Sequence, residues 1–365
     1  MMPQWLLDRI SSALQKRNEE GSLRSLKKSV GLSDFSSNNY LGLANSPQYG
    51  IGSTGSRLIS GNSIEAENFE RYFAEFTGYE TALLYNSGYA ANTGVIACLA
   101  ARNDTVIYDE LVHASIRDGI RLSLAKAYSF RHNDPNDLRK KCEQASGPVF
   151  ILTESVFSMD GDEAPLKHIS DVSREFDAAL IVDEAHAFGV FGKEGRGLVN
   201  ETGIQSLVTA CIFTFGKAAG VHGAAVAGDR LLVNYLLNFS RSFIFTTALP
   251  PNEILRIESQ INRLVQSEKE RTQLKAHIEI ISGNFKAYGD RYIVSRSPIQ
   301  CLIVPGVEAV RAFSTALQND GFDIRPIMSP TVRAGTERVR ICLHAYNTST
   351  EIDRLLGKIQ SLMNQ

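Results

Sequence analysis

The sequence predicts an α/β fold: a mostly parallel, seven-stranded sheet between layers of helix, with a smaller α+β unit closing the chain. Three observations predict it. Seven short runs are apolar nearly throughout: TALLY (81–85), TVIY (105–108), KAYSF (126–130), VFILT (149–153), ALIVD (179–183), CIFTF (211–215) and GAAVAG (223–228). Strands covered on both faces read this way. Most are separated by amphipathic helical stretches such as 65–77 and 166–176, the alternation that lays helices against a parallel sheet. Around 249–251 the pattern changes to a long charged helical region and then to shorter strand candidates.

Taken in order, Leu6, Ile10 and Leu14 fall four apart and mark one face of an N-terminal helix. A loop with serines and glycines, 42–61, leads into the strand–helix units. After the seventh run, NEILRIESQINRLVQSEKERTQLKAHIEIISGNF reads as helix, with QSEKERTQLK a solvated face. IQCLIV and RVRICL then flank the helical VEAVRAFSTALQNDG; their Cys301 and Cys342 read as small packed hydrophobes. At 365 residues the chain exceeds most single cores. The expected organisation is an N-terminal helical arm (1–34), a large α/β domain (35–248) and a small C-terminal α+β domain (249–365).

Charge and cysteine content exclude several classes. With 38 basic and 40 acidic residues, net −2, there is no electrostatic footprint for nucleic acid or an anionic membrane. No run approaches the roughly 20 apolar residues of a membrane span, and the N-terminus lacks the basic start and unbroken apolar core of a signal peptide. Five cysteines with no CxxC or Cys/His cluster give no zinc site, and an odd count without an export signal fits a reducing, cytoplasmic setting. No G-x-G-x-x-G or P-loop spacing is present.

FTFGKAAGVHG (213–223) sets Lys217 just past an apolar strand. A buried ammonium without a partner costs several kcal/mol or loses its proton, so this lysine is either at the surface or placed to react. In ALIVDEAHAFG, Asp183 ends a strand and His186 follows. Ligands of open α/β sheets sit at the carboxyl ends of strands, although a turn-capping Asp reads the same way. If the two strands are neighbours, Asp183 and Lys217 share one crevice. Such a pair suits pyridoxal phosphate: the amine bonds its aldehyde, and the carboxylate keeps the pyridine nitrogen protonated. YNSGYAANTG puts Ser87, Gly88 and Tyr89 at a helix start, where free N–H groups bind phosphate; a capped turn is the plainer reading. Thr214 offers that phosphate a hydroxyl. His113 follows the strand TVIY, where an imidazole can stack on a pyridine ring, while a lone histidine is more often structural.

DFSSNNYLGL, GSTGSRLISGN, SGYAAN, VHASIRDG, ESVFSMDGD, VDEAHAFGVFGKEGRG, TFGKAAGVHGAAV and TVRAGTERVRICL stand in the order and spacing of the α-oxoamine synthases. From about Asp34 onward the sequence resembles that family of pyridoxal-phosphate enzymes, whose fold is aspartate-aminotransferase-like (fold type I). GSTGSRLISGN, TFGK…GAAV and SPIQCLIV resemble most the branch that condenses L-alanine with a pimeloyl thioester.

The resemblance implies Lys217 as the Schiff-base lysine and base, Asp183 at the pyridinium nitrogen, and His186 at the ring 3′-oxygen with Ser158 nearby. It implies His113 stacked on the ring, and Gly88, Tyr89 and Thr214 around the phosphate. Thr246 and Thr247 match a segment reaching the phosphate of a partner subunit, which implies a homodimer. Arg340 matches the arginine that holds the amino-acid carboxylate, with Asn38 nearby. Arg24 matches an N-terminal arginine near the acyl substrate. The sequence departs from the family at His344, Asn347 and Phe245, which bears on acyl recognition. The alternatives are other amino acids and thioesters within the family, transamination, and a binding-only scaffold. The last is hard to square with Lys217, Asp183, His186 and His113 all being present.

Overall fold

The computed structural model describes residues 2–26, 45–46 and 50–364. Its packing separates two compact units, Met1–Ser155 with Pro165–Gln266 and Val156–Ala164 with Ser267–Gln365.

In the first unit, α1 (Gln4–Glu19) buries Leu6 and Ile10, as their spacing predicts, and half-buries Leu14. Trp5 fastens it, its ring edge-on to Phe150 at 5.3 Å and its Nε1 donating to the Asp177 carbonyl. A short antiparallel pair, β1 (Asn45–Ser46) and β2 (Gly50–Ile51), precedes α2 (Ile64–Thr77). Strand and helix then alternate: β3 (Thr81–Tyr85), α3 (Gly88–Leu99), β4 (Thr105–Asp109), α4 (Ala114–Ser123), β5 (Lys126–Phe130), α5 (Pro135–Glu143), β6 (Val149–Glu154), α6 (Leu166–Glu175), β7 (Ala179–Asp183), α7 (Leu198–Glu201), β8 (Ala210–Thr214) and β9 (Ala224–Gly228).

Each apolar run of the sequence forms its own strand, and all seven join one sheet ordered β3–β9–β8–β7–β6–β4–β5. Strands β8, β7, β6, β4 and β5 run parallel; β9 runs antiparallel to both β8 and β3. The central strands β6 and β7 are buried along their whole length, whereas β5, with a neighbour on one side only, buries Phe130 alone. On one side of the sheet an aromatic core gathers, Phe73 of α2 lying 5.3 Å from both Phe213 and Phe215 and 5.7 Å from Phe188.

The first unit closes with α8 (Arg230–Phe239), α9 (Arg241–Ile244) and α10 (Pro251–Gln266). The sequence set a boundary at 249, yet α10 buries Ile254, Ile257, Ile261 and Leu264, and its Asn262 accepts from the Tyr72 hydroxyl of α2. The long charged helical region is therefore two helices parted at Ser267, the second being α11 (Glu268–Phe285) of the second unit.

The second unit continues through β10 (Tyr292–Ile293), β11 (Ile299–Ile303), α12 (Val307–Asn319), β12 (Arg325–Ile327), β13 (Arg338–Cys342) and α13 (Ser349–Met363). Its antiparallel sheet is ordered β10–β11–β13–β12, over a core that includes Ile281, Phe285, Leu302, Val339 and Ile359. Arg338 is paired with Asp160 in this unit, both nearly buried. Cys301 is buried, as its apolar strand predicts, but Cys342 at the end of β13 is exposed, because strand side chains alternate between faces. Among the described residues no helix is long and apolar enough to cross a membrane.

Candidate active site

Strands β6, β7 and β8 end side by side: Glu154 pairs in register with Asp183, and Asp183 with Ile212. Past these ends lies a cavity of about 350 Å³ whose lining includes Gly88, Tyr89, His113, Asp183, His186, Thr214 and Lys217. With Ser87, which also lines it, eight residues singled out in the sequence thus meet in one place.

The loop between β8 and β9 carries Lys217. Its Val221 N–H donates to the Phe215 carbonyl and its Gly220 N–H to that of Lys217, with left-handed backbone at Gly220 (φ 66°) and Gly223 (φ 121°), conformations that glycine tolerates. Lys217 is exposed, its Nζ 3.4 Å from the Thr214 hydroxyl. The choice between surface and reactive amine resolves as an amine that stands open to the cavity.

Asp183 is only 5% exposed. Its Oδ1 accepts from the Ala185 N–H at 2.8 Å and its Oδ2 from the Asn92 amide at 2.7 Å. Next to it, buried Glu154 accepts from the backbone N–H of His113 at 2.6 Å. Burial first, then the charge of Asp183, pushes the Glu154 carboxyl well above the usual range, against the pull of that N–H and of Lys217. Two carboxylates on adjacent strand ends resist double ionisation, which adds to the upward push on Glu154.

At the start of α3 the Ser87 hydroxyl caps the Ala90 N–H at 3.2 Å, so the plain capping reading of that segment is real. The N–H groups of Gly88 and Tyr89 belong to the first helical turn, which has no intrahelical acceptors for them. A Cβ at Gly88 would lie 2.1 Å from Thr214 Cγ2. The helix start is thus bare of side chain where it faces the Thr214 side chain. The Tyr89 hydroxyl donates to Asp118, which also pairs with Arg121 at 2.7 Å.

Of the other sequence candidates, Thr246, Thr247 and Arg24 lie elsewhere in the first unit. The Asn86 amide donates to Thr246 Oγ1 at 3.3 Å and to the Thr247 carbonyl at 2.8 Å; Thr246 lines a separate pocket with Arg57 and Tyr85. Arg24 bonds Asn238 through its backbone N–H (2.8 Å) and its guanidinium (2.6 Å), and borders a cavity of about 400 Å³ with Ile59, Ile244 and exposed Phe245. Ser158 and Arg340 belong to the second unit. Arg340 lies on β13 with a buried Nε that lacks a hydrogen-bond partner among the described residues. Asn38 falls outside the described residues. The departures at 344 and 347 build a turn ahead of α13: Asn347 Oδ1 accepts the His344 N–H at 2.8 Å, and the His344 ring stacks on Tyr346.

Sequence reasoning missed Asn92, Ser115, Glu154 and Glu184. Asn92 stands in SGYAAN four residues after Gly88, hence on the same helix face, and that spacing was a usable signal. Glu184, fully buried, accepts from the N–H groups of Leu198 (2.7 Å) and Val199 (2.9 Å), tying the start of α7 to the end of β7. Burial pushes its carboxyl up to about 7, with those two N–H groups pulling the other way.

Residues 31–359 match the family model for class I and II aminotransferases. An 8-amino-7-oxononanoate synthase of Trichlorobacter lovleyi is 40% identical over 380 residues, covering 97% of each chain. Among solved structures, a serine palmitoyltransferase from S. paucimobilis with a bound PLP–myriocin aldimine superposes with TM-score 0.82 at 28% identity, over 98% of this chain and 97% of its own. An 8-amino-7-oxononanoate synthase from Francisella tularensis does so with TM-score 0.76 at 30% identity, over 92% and 98%. The family model runs through both units and takes in every strand of the seven-stranded sheet, and the chain belongs to the class I and II aminotransferase family.

Proposed function

We propose that this chain is a pyridoxal-phosphate enzyme that joins L-alanine to a pimeloyl thioester with loss of CO2 and release of the free thiol, giving 8-amino-7-oxononanoate for biotin synthesis. In this reading it works as a cytoplasmic homodimer, each subunit with an N-terminal arm, a large domain and a small domain. One observation carries it: a single cavity lined by an open lysine amine, a buried aspartate and a side-chain-free helix start.

These groups fit the cofactor. The Asp183 carboxylate suits a protonated ring nitrogen, the first-turn N–H groups of Gly88 and Tyr89 with the Thr214 hydroxyl suit a phosphate, and Lys217 suits an aldehyde. Bound there, pyridoxal phosphate supplies an electron sink for negative charge developing at the amino acid Cα. The chain supplies the rest. Lys217 Nζ takes the Cα proton and returns one after CO2 has left. Asp183 holds the ring nitrogen protonated, His186 and Ser158 attend the ring oxygen, and His113 covers a ring face. Thr246 and Thr247 reach the phosphate held by the neighbouring subunit. Arg340 is assigned to the substrate carboxylate, which a guanidinium fork would grip. On the resemblance alone, Asn38 is assigned to the same carboxylate and Arg24 to the acyl chain.

The serine palmitoyltransferase likeness favours a second reading, with L-serine and a longer acyl group. Sequence identity favours alanine, at 40% against 28%. Purified protein given L-alanine, glycine or L-serine, each with pimeloyl-, acetyl- or palmitoyl-CoA, separates the two by CO2 release and product mass. Alanine with pimeloyl thioester is expected to lead by about tenfold or more, the discrimination that small differences in side-chain fit supply. A lead by serine with palmitoyl-CoA, or by glycine with acetyl-CoA, overturns the proposal.

A further inference from the structure

We propose that Asn92 is a positioning residue that couples Asp183 to His113: one amide hydrogen fixes the carboxylate, and the other, through the Ser115 hydroxyl, fixes which nitrogen of His113 bears the ring proton. The inference rests on the cofactor reading above, since both ends of the relay line that cavity.

The geometry accounts for every hydrogen. Asn92 is 2% exposed on α3. Its Nδ2 lies 2.7 Å from Asp183 Oδ2 and 3.1 Å from the Ser115 hydroxyl, and an amide nitrogen has two hydrogens to give. The Ser115 oxygen accepts one of them, so its own hydrogen is free for His113 Nδ1, 2.8 Å away. The backbone N–H of Ser115 donates to the same Nδ1 at 3.2 Å. Two donors converging on Nδ1 assign it the lone pair and put the ring proton on Nε2.

The rest of Asn92 shows which way the amide is held. Its Oδ1 is buried without a partner among the described residues. Turning the amide over would aim that oxygen at the Asp183 carboxylate, acceptor against acceptor. Packing alone gives no reason to bury an amide oxygen without a donor; the two donated hydrogens do. With the relay in place, Asp183 meets the cofactor nitrogen in one fixed plane, and His113 offers one fixed edge.

The test reads the cofactor-free protein first. In 15N-histidine-labelled protein, long-range 15N–1H correlation spectra report the tautomer of each of the seven histidines, and His113→Gln identifies the His113 signal. Wild type is expected to show the Nε2–H form. The Ser115 backbone N–H still reaches Nδ1 in both alanine variants, so Asn92→Ala and Ser115→Ala are expected to shift the tautomer ratio measurably, but not completely, toward the Nδ1–H form, and Ser115→Thr, which keeps the hydroxyl, to retain the wild-type ratio. Titration with pyridoxal phosphate is then expected to show binding weakened about ten- to a hundredfold in Asn92→Ala, as for loss of a hydrogen bond to a charged group, and less in Ser115→Ala. If His113 keeps the wild-type ratio in both alanine variants, the relay is wrong. Should Asn92→Ala fail to fold, the contrast between Ser115→Ala and Ser115→Thr decides by itself. If wild type does not take up pyridoxal phosphate, the cofactor reading falls, while the spectra still judge the relay.

Discussion

At the scale of single residues, the site depends on what is missing as much as on what is present. Gly88 leaves room only for hydrogen beside Thr214. Gly88→Ala should overpack the helix start and weaken pyridoxal-phosphate binding about tenfold or more. Adding Thr214→Ser, which deletes the obstructing methyl, should recover part of the loss in the same equilibrium titration. Lys217→Ala should lower turnover by about a thousandfold or more while leaving thermal unfolding of the cofactor-free protein unchanged, since this side chain is exposed. Glu184 predicts a pH dependence. Its buried carboxyl titrates near 7 against an ordinary 4.5, so the folded chain holds a proton that the unfolded chain has released. Below about 4.5 both states are protonated and there is no penalty; stability falls as pH rises from there through 7, by up to about 3 kcal/mol. Comparing urea unfolding of wild type and Glu184→Gln at pH 5 and pH 8 checks this. An equal slope in both proteins would remove Glu184 as its source.

At the scale of elements, local signals in the sequence were strong where a segment's own residues decide its form. Seven apolar runs became seven strands, and the four-residue spacing of Leu6 and Ile10 became the buried face of α1. The signals weakened where neighbours decide. KAYSF reads like the other runs, but β5 sits at the sheet edge and stays mostly exposed. The charged helical region reads as continuous, but it parts at Ser267, where α10 ends with one set of packing partners and α11 begins with another. Helix α13 starts with a capping box in which Thr348 accepts the Glu351 N–H and Glu351 accepts the Thr348 N–H. Thr348→Ala is expected to cost about 1 kcal/mol and to speed amide exchange in the first turn of α13. Unchanged exchange there would mean that packing, rather than the cap, holds the helix end.

At the scale of the whole molecule, the segment 156–164 is the clearest instance of long-range organisation. It lies in sequence between β6 and α6 of the first unit, yet it packs with the second. A Cβ on Gly161 would stand 2.2 Å from the Ile299 carbonyl, Ser295 and Ser297 both donate to the Gly161 carbonyl, and Asp160 pairs with buried Arg338. Removing one member of a buried pair strands the other charge. Asp160→Ala should therefore destabilise the protein by about 3 to 5 kcal/mol, measured by chemical denaturation. A loss below about 1 kcal/mol would show that water reaches Arg338 once its partner is gone.

By itself the sequence determined the strands, their order along the chain, and the residues most suited to chemistry. An apolar run, a strand-ending Asp183, a glycine at a helix start and a lysine after a strand each express a preference carried within a few residues. Only the tertiary structure decided which strand ends adjoin, that Glu154 at the end of β6 lies beside Asp183 at the end of β7, that Asn92 bridges Asp183 to Ser115, and that 156–164 leaves its sequence neighbours for the second unit. Those facts follow from contacts between residues far apart in sequence, and no local preference encodes such a contact until the chain has closed on itself.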